Sequence, residues 1–271
     1  MEQNKNNDML LEVKDLRTYF HLPNGITIKA VEGVNFTLKK GKVLGIIGES
    51  GSGKSVTSRA IMQIVDHPGR VESGEVIFKG EDLLKKSEKE MARLRGREIS
   101  LIFQDPNTSF NPYMTIGDQL RQAFRVHNKK ATKQECEDAV RDALKLVGIN
   151  NWEEVCKCYP CQFSAGFRQR IFIGMAMIFK PDLLIADEPT TSLGITIQAE
   201  IIQALIEIKE QVGNSVTSVL SLSSLTTSSL CTPAAAWSTL PSVICWWLPA
   251  IPIRLVCCVP CLCWKHARPR D

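Results

Sequence analysis

Between residues 10 and 47 apolar or β-branched side chains alternate with polar ones, as in Leu10-Leu11-Glu12-Val13, Ile26-Thr27-Ile28 and Val34-Asn35-Phe36-Thr37-Leu38. Pro23-Asn24-Gly25 and Lys40-Gly41 break the runs, and a period of two bounded by turn residues predicts an antiparallel strand layer. The run Val43-Leu44-Gly45-Ile46-Ile47 is apolar throughout, and residues 55–65 read as a helix that stops ahead of Pro68-Gly69. Residues 74–79 and 98–103 read as strands. From 115 to 147 the period becomes helical, with Lys129, Lys130, Lys133, Glu135, Glu137, Asp138, Arg141 and Asp142 forming a solvated face. Residues 164–179 and 195–211 read as further helices, the last ending near Gly213. Between them Leu183-Leu184-Ile185-Ala186 reads as a short buried strand. Strands interleaved with helices in this way predict an α/β fold.

The pattern stops at Val216. Ten of the fifteen residues from 215 to 229 are Ser or Thr, and from 215 to 270 there is no Gly, Glu, Asp, Asn, Gln, Met, Phe or Tyr. Six Cys, four Trp and six scattered Pro take their place. Neither helix caps nor glycine turns are available there, so residues 217–271 read as an aberrant tail and not as a native domain. Residues 243–263 have the length of a membrane span, but Pro249, Pro252, Pro260 and Arg254 argue against one.

Composition narrows the picture only a little. At 271 residues, 44% apolar and 23% charged, the chain has the make-up of an ordinary globular protein. A formal charge of +4 is too small to argue for a nucleic-acid partner. The polar start Met1-Glu2-Gln3-Asn4-Lys5-Asn6-Asn7-Asp8 lacks the apolar core of a signal peptide, so a cytoplasmic start is expected. Cys156, Cys158 and Cys161 have the opening spacing of a metal cluster, but no second half follows nearby, and reduced thiols are the expectation.

Two motifs carry chemistry. Gly48-Glu49-Ser50-Gly51-Ser52-Gly53-Lys54-Ser55 follows the apolar run 43–47 and precedes the helical segment. A strand, a glycine-rich turn and Lys-Ser at a helix start turn backbone N–H groups toward a nucleotide's phosphates. Lys54 then places its charge on them and Ser55 offers a hydroxyl to Mg²⁺. The second motif is Leu183-Leu184-Ile185-Ala186-Asp187-Glu188-Pro189, where a strand brings two carboxylates to its tip. Neighbouring carboxylates point in different directions and can divide the work, Asp187 on Mg²⁺ and Glu188 on an attacking water.

Between these two lie Phe103-Gln104-Asp105-Pro106 and Ser164-Ala165-Gly166-Phe167-Arg168-Gln169-Arg170. With all four elements in this order, residues 9–216 resemble the nucleotide-binding subunits of ABC transporters. The resemblance is nearest to those driving dipeptide and oligopeptide import, on Asn107-Thr108-Ser109-Phe110-Asn111-Pro112, Thr115-Ile116-Gly117-Asp118-Gln119, Ala186-Asp187-Glu188-Pro189-Thr190-Thr191 and Thr196-Ile197-Gln198-Ala199-Glu200. The resemblance implies a P-loop NTPase fold, an ABC-type cassette with an antiparallel β layer and a helical subdomain at about 105–180. It implies ATP and Mg²⁺ as cofactors, with Phe20 (or Tyr19) stacking on adenine. The phosphate loop would hold the nucleotide through Gly48, Ser50, Gly51, Ser52, Gly53, Lys54, Ser55 and Val56. Gln104 would reach Mg²⁺ and the attacking water, whereas Ser164 and Gly166 would bind the γ-phosphate held by a second ATPase subunit, identical or not. Two membrane-spanning permease subunits, and indirectly an extracytoplasmic solute-binding protein, would complete the importer, with this chain peripheral on the cytoplasmic face.

Four positions depart from that pattern. Ala165 stands where the family has Gly, where a methyl crowds a phosphate or forbids a positive φ, and Phe167 replaces a polar residue or Met. Gly194 stands where the family has Asp in a loop that organises the facing subunit. Counting about 33 residues on from Glu188, the place of the family's switch histidine is taken by Ser221. The only histidine after Asp187 is His266. Lost contact with the γ-phosphate there implies impaired hydrolysis. Residues from about 217 onward are then read as an out-of-frame translation, with a genuine lineage-specific tail as the milder reading. A binding-only or degenerate product and a non-transport ABC protein are the competing functions.

Overall fold

The computed structural model describes residues 8–48, 51–103, 109–189, 201, 204–205, 207–208, 217–222 and 253–257. Two sheets organise them. In the first, β1 (Met9–His21), β2 (Thr27–Lys39), β4 (Gly69–Phe78) and β5 (Glu81–Asp82) pair antiparallel in the order β2-β1-β4-β5. In the second, β3 (Val43–Ile47), β6 (Ile99–Ile102), β7 (Leu183–Asp187), β8 (Thr217–Leu222) and β9 (Ile253–Cys257) run parallel in the order β6-β7-β8-β3-β9. The expectation of one antiparallel layer over 10–47 is thus corrected at its end. β3 leaves that layer, because an all-apolar strand is buried on both faces, as parallel strands are.

Both faces of the parallel sheet are covered. Leu183 and Ile185 of β7 pack into a core shared with Leu44, Ile46, Leu11, Val13, Leu16, Val76 and α1 (Lys54–Ile61). Their neighbours Leu184 and Ala186 face a second core, formed with α3 (Ile116–His127), α4 (Lys133–Leu146) and α6 (Ala165–Ala176). Side chains that alternate between two cores account for the unbroken apolar reading of that strand.

The helices differ in extent from the sequence reading. α1 ends at Ile61 and not at 65: Gln63 takes φ 51°, and Ile64 N–H bonds back to the Arg59 carbonyl oxygen at 2.9 Å, closing the last turn. The Arg95 guanidinium, just after α2 (Glu88–Leu94), donates to the carbonyl oxygens of Met62 and Gln63. The stretch 115–147 divides in two, because Thr132 starts a new helix with a reciprocal cap: its hydroxyl accepts from Glu135 N–H, and the Glu135 carboxylate accepts from Thr132 N–H. A short helix α5 (Trp152–Val155) precedes α6.

The helix expected over 195–211 lies mostly outside the described residues, although Ile201, Leu205 and Ile208 are buried in the second core. The compositional break at 216 falls just before β8, which pairs with both β7 and β3. No helix among the described residues is long and apolar enough to cross a membrane.

Candidate functional site

β3 ends at Ile47 and α1 begins at Lys54, so the chain must reverse within the phosphate loop. Gly51 at φ 81° and Gly53 at φ 91° make that reversal, in a backbone region where a side chain is strained. A Cβ at Gly51 would meet open space, whereas one at Gly53 would lie 2.2 Å from the Ala30 carbonyl oxygen on β2. The loop therefore has an empty side and a side pressed against the antiparallel sheet. Gly53 offers no side-chain cap to α1, so no side chain at that position competes with an anion for the helix start.

The two carboxylates predicted to divide their roles do point to different partners. Ser55 donates its hydroxyl to Asp187 Oδ1 at 2.8 Å, a contact across 132 residues of sequence. Lys54 Nζ lies 3.5 Å from Glu188 Oε1, with side chains 2% and 9% exposed, and donates to the Gly48 carbonyl oxygen at 2.8 Å. Ser52 Oγ stands 3.4 Å from the same ammonium. Glu188 adopts φ 46°, a turn that takes its side chain off the line of β7. Thr57 donates to the Gly53 carbonyl oxygen at 2.9 Å and Val56 packs on the core below, fixing the first turn.

These groups fit a phosphorylated ligand with Mg²⁺. The glycine turn and uncapped helix start suit an anion, and the Ser55 hydroxyl beside the Asp187 carboxylate is a pair of hard oxygen donors. When bound there, Mg²⁺ would neutralise charge on the phosphates, and Ser55 and Asp187 would hold it.

Phe20 and Tyr19 point to opposite faces of β1. The Tyr19 hydroxyl donates to Glu32, and the Lys29 ammonium lies 5.4 Å from its ring centre. Phe20 pairs with Gly69 across β4, where an added Cβ would come within 2.6 Å of its ring. It stands two residues along β1 from Thr18, the partner of Val31, whose side chain lies beside Gly53. Of the two aromatics, Phe20 is on the face shared with the buried Leu16 and Thr18.

Ser164 and Gly166 lie elsewhere, at the start of α6, where the Ser164 hydroxyl accepts from Phe167 N–H. Ala165 is the first helical residue and its φ is not in the left-handed region, so its methyl meets no backbone conflict there. Phe167 stacks on Phe163 with ring centres 4.9 Å apart, and the Arg170 guanidinium lies over it. Ser50, Gln104 and Gly194 lie outside the described residues. The four cysteines 136, 156, 158 and 161 are free thiols; burial pushes that of Cys156 up to about 11, against the opposing charge of Arg121.

The family model described as ABC transporter matches residues 31–191, more than half of the chain. The chain belongs to that family. Dipeptide transport ATP-binding protein DppD of Bacillus subtilis (strain 168) is 48% identical over 210 residues, 77% of this chain and 62% of that relative. Oligopeptide transport ATP-binding protein OppD of Escherichia coli (strain K12) is 46% identical over 204 residues, 75% of this chain and 60% of the relative. The chain spans about three fifths of the length of these curated relatives. Among solved structures, the dimeric post-hydrolysis state of the ATP-binding cassette MJ0796 bound to ADP and Pi superposes with a TM-score of 0.68 at 24% identity. It covers 80% of this chain and 89% of that one, a likeness of fold.

For an ABC protein two residue contacts were missed by sequence reading. The Lys54–Glu188 pair joins two motifs that had been read separately, and no sequence signal announces Ala30 against Gly53. In the register of β8, Ser221 stands opposite Asp187 on one side and Ile46 on the other. The position reached by counting from Glu188 is therefore on the strand between the carboxylate tip and the phosphate-loop strand.

Proposed function

We propose that this chain is the ATP-binding subunit of an ABC importer, coupling binding of Mg·ATP to the uptake of peptides or a related solute. The observation that carries the reading is the convergence of Lys54, Ser55, Asp187 and Glu188 at the end of the parallel sheet. Phe20 supplies the adenine platform, Gly48, Ser50, Gly51, Ser52, Gly53 and Val56 shape the phosphate cradle, and Gln104 completes the Mg²⁺ and water contacts. Ser164 and Gly166, exposed and buried respectively at the start of α6, serve the nucleotide of a second ATPase subunit. Two membrane-spanning permease subunits anchor the pair at the cytoplasmic face, and a solute-binding protein acts from the other side.

Within this reading ATP hydrolysis is impaired. Glu188 would polarise the attacking water once a nucleotide is bound, but Ser221, opposite Asp187 in the register of β8, stands where the family carries the histidine that contacts the γ-phosphate. This favours a binding-only product over a competent ATPase, and an out-of-frame origin for residues from about 217 supplies the cause. Re-reading the gene in its other two frames tests the origin; if neither restores a Thr-His-Asp strand, that origin is wrong. For function, Mg·ATP binding and phosphate release are measured on the purified chain and on Ser221→His. Binding is expected in both, with turnover at least about ten-fold higher in Ser221→His. Turnover in the unmodified chain equal to that of an intact relative would overturn the impaired reading, and absence of ATP binding would overturn the whole.

A further inference from the structure

Lys54 and Glu188 are both almost wholly enclosed, and each carries the charge the other lacks. Their separation of 3.5 Å is within ion-pair range, but longer than the roughly 2.8 Å of a charge-assisted hydrogen bond. The ammonium also donates to the Gly48 carbonyl oxygen at 2.8 Å. Glu188 thus faces Lys54 as an ion-pair partner at a separation longer than a direct charge-assisted hydrogen bond. Its backbone reinforces this placement: φ 46° is a conformation that a side chain rarely adopts, and it takes the carboxylate toward the loop while Asp187 takes the Ser55 hydroxyl.

We propose that Glu188 is the internal counter-ion of Lys54 in the ligand-free cradle, and that a phosphate group of the ligand displaces it. The inference rests on the nucleotide-site reading above and deepens it, because it assigns Glu188 a role before any chemistry. A phosphate seated in the glycine turn needs the same ammonium and brings negative charge toward the same carboxylate. The two anions compete for one cation, so binding of either weakens the hold of the other by the same factor. The carboxylate is sequestered while the cradle is empty, and an arriving phosphate releases it toward the position where it can orient water. An empty site is in this way kept from presenting a free base, and part of the ligand's affinity is spent on the exchange.

The charge of Glu188 should then weaken the binding of every phosphate ligand, including those that cannot be hydrolysed. Calorimetric titration of the full chain without Mg²⁺, using ADP and inorganic pyrophosphate, tests this on wild type, Glu188→Gln and Ser55→Ala. Both ligands are expected to bind about ten-fold more tightly to Glu188→Gln, and no more tightly to Ser55→Ala, which alters the same cradle without changing charge. Because neither ligand undergoes γ-phosphate hydrolysis, blocked turnover would not produce that gain. Should Glu188→Gln not fold by circular dichroism, Glu188→Asp draws the carboxylate back by one methylene and is expected to tighten both ligands by a smaller factor. Unchanged or weaker binding of ADP and pyrophosphate in a folded Glu188 variant would overturn the counter-ion role and leave the nucleotide site standing. Failure of wild type to bind either ligand would instead overturn the site itself, and the inference with it.

Discussion

A methyl group added at Gly53 would lie 2.2 Å from the Ala30 carbonyl oxygen, on a backbone at φ 91°. Nothing there gives way cheaply, since the obstacle is the main chain of β2 and not the far end of a flexible side chain. At Gly51 the backbone is as strained, at φ 81°, but the added atom meets open space. Gly51→Ala should therefore cost about 1–2 kcal/mol, from the left-handed conformation alone. Gly53→Ala should cost about 3–4 kcal/mol, strain and overpacking together. Urea unfolding of the ligand-free variants checks the order; equal losses would show that the β2 contact carries no weight. The glycines of this loop are legible in the sequence as a motif, but not their inequality. That depends on Ala30, which has no chemistry of its own and comes near only because the antiparallel sheet stacks on the loop. The same limit applies to the Lys54–Glu188 pair: each residue was named from its own motif, and only the parallel alignment of β3, β8 and β7 brings the strand ends together.

At the scale of elements, boundaries were missed both where a local signal was outweighed by the surrounding pattern and where a distant side chain sets them. Thr132 with Glu135 three residues on is a capping box readable in the sequence, yet the shared charge pattern on both sides of it favoured one long helical stretch. The end of α1 carries no such signal. Its closing turn exposes the Met62 and Gln63 carbonyl oxygens, and these are satisfied by Arg95, more than thirty residues away, at 2.8 and 3.0 Å. The Glu88 carboxylate accepts from the same guanidinium, tying the start of α2 to the end of α1. Arg95→Met keeps much of the aliphatic stem and removes every donor, leaving two part-buried carbonyls to find water. A loss of about 1–3 kcal/mol is expected, with hydrogen exchange quickening first at residues 62–64. Exchange unchanged at those amides would show that the helix end holds without the guanidinium. Because α1 also presents the phosphate loop, ligand affinity should fall with it, although Arg95 touches no site residue named here.

Across the described residues, the two sheets meet through the core that holds Leu11, Leu16 and Val76 with Leu44, Ile46 and Leu183, and through a polar tie that no sequence motif announces. Lys79, at φ 51° just past β4, places its ammonium 2.7 Å from Glu98 and 2.7 Å from Asp182. Those carboxylates immediately precede β6 and β7, so one cation from the antiparallel sheet holds the entry points of two parallel strands. Partial burial pushes the lysine pKa down, but the hydrogen bonds and charges of Asp182 and Glu98 push it further up, and the net shift is upward from 10.5. A cation whose pKa is higher when folded binds its proton more tightly in the folded chain. Its stabilisation is complete below the unfolded value and is lost as the pH rises through the folded one. The side chain is 41% exposed, so solvent screening keeps the tie modest. Lys79→Met is expected to cost about 0.5–1 kcal/mol at pH 7 in low salt. The gap between wild type and variant should stay level up to about pH 10 and close above the ordinary lysine value, and 1 M salt at pH 7 should shrink it. Urea unfolding across that range reads the gap directly, with titration of all other groups common to both proteins. A gap that persists unchanged above the lysine range would assign the loss to the packing of the lysine stem on Phe78, whose ring centre lies 5.2 Å from the ammonium, and not to the charge that joins the sheets.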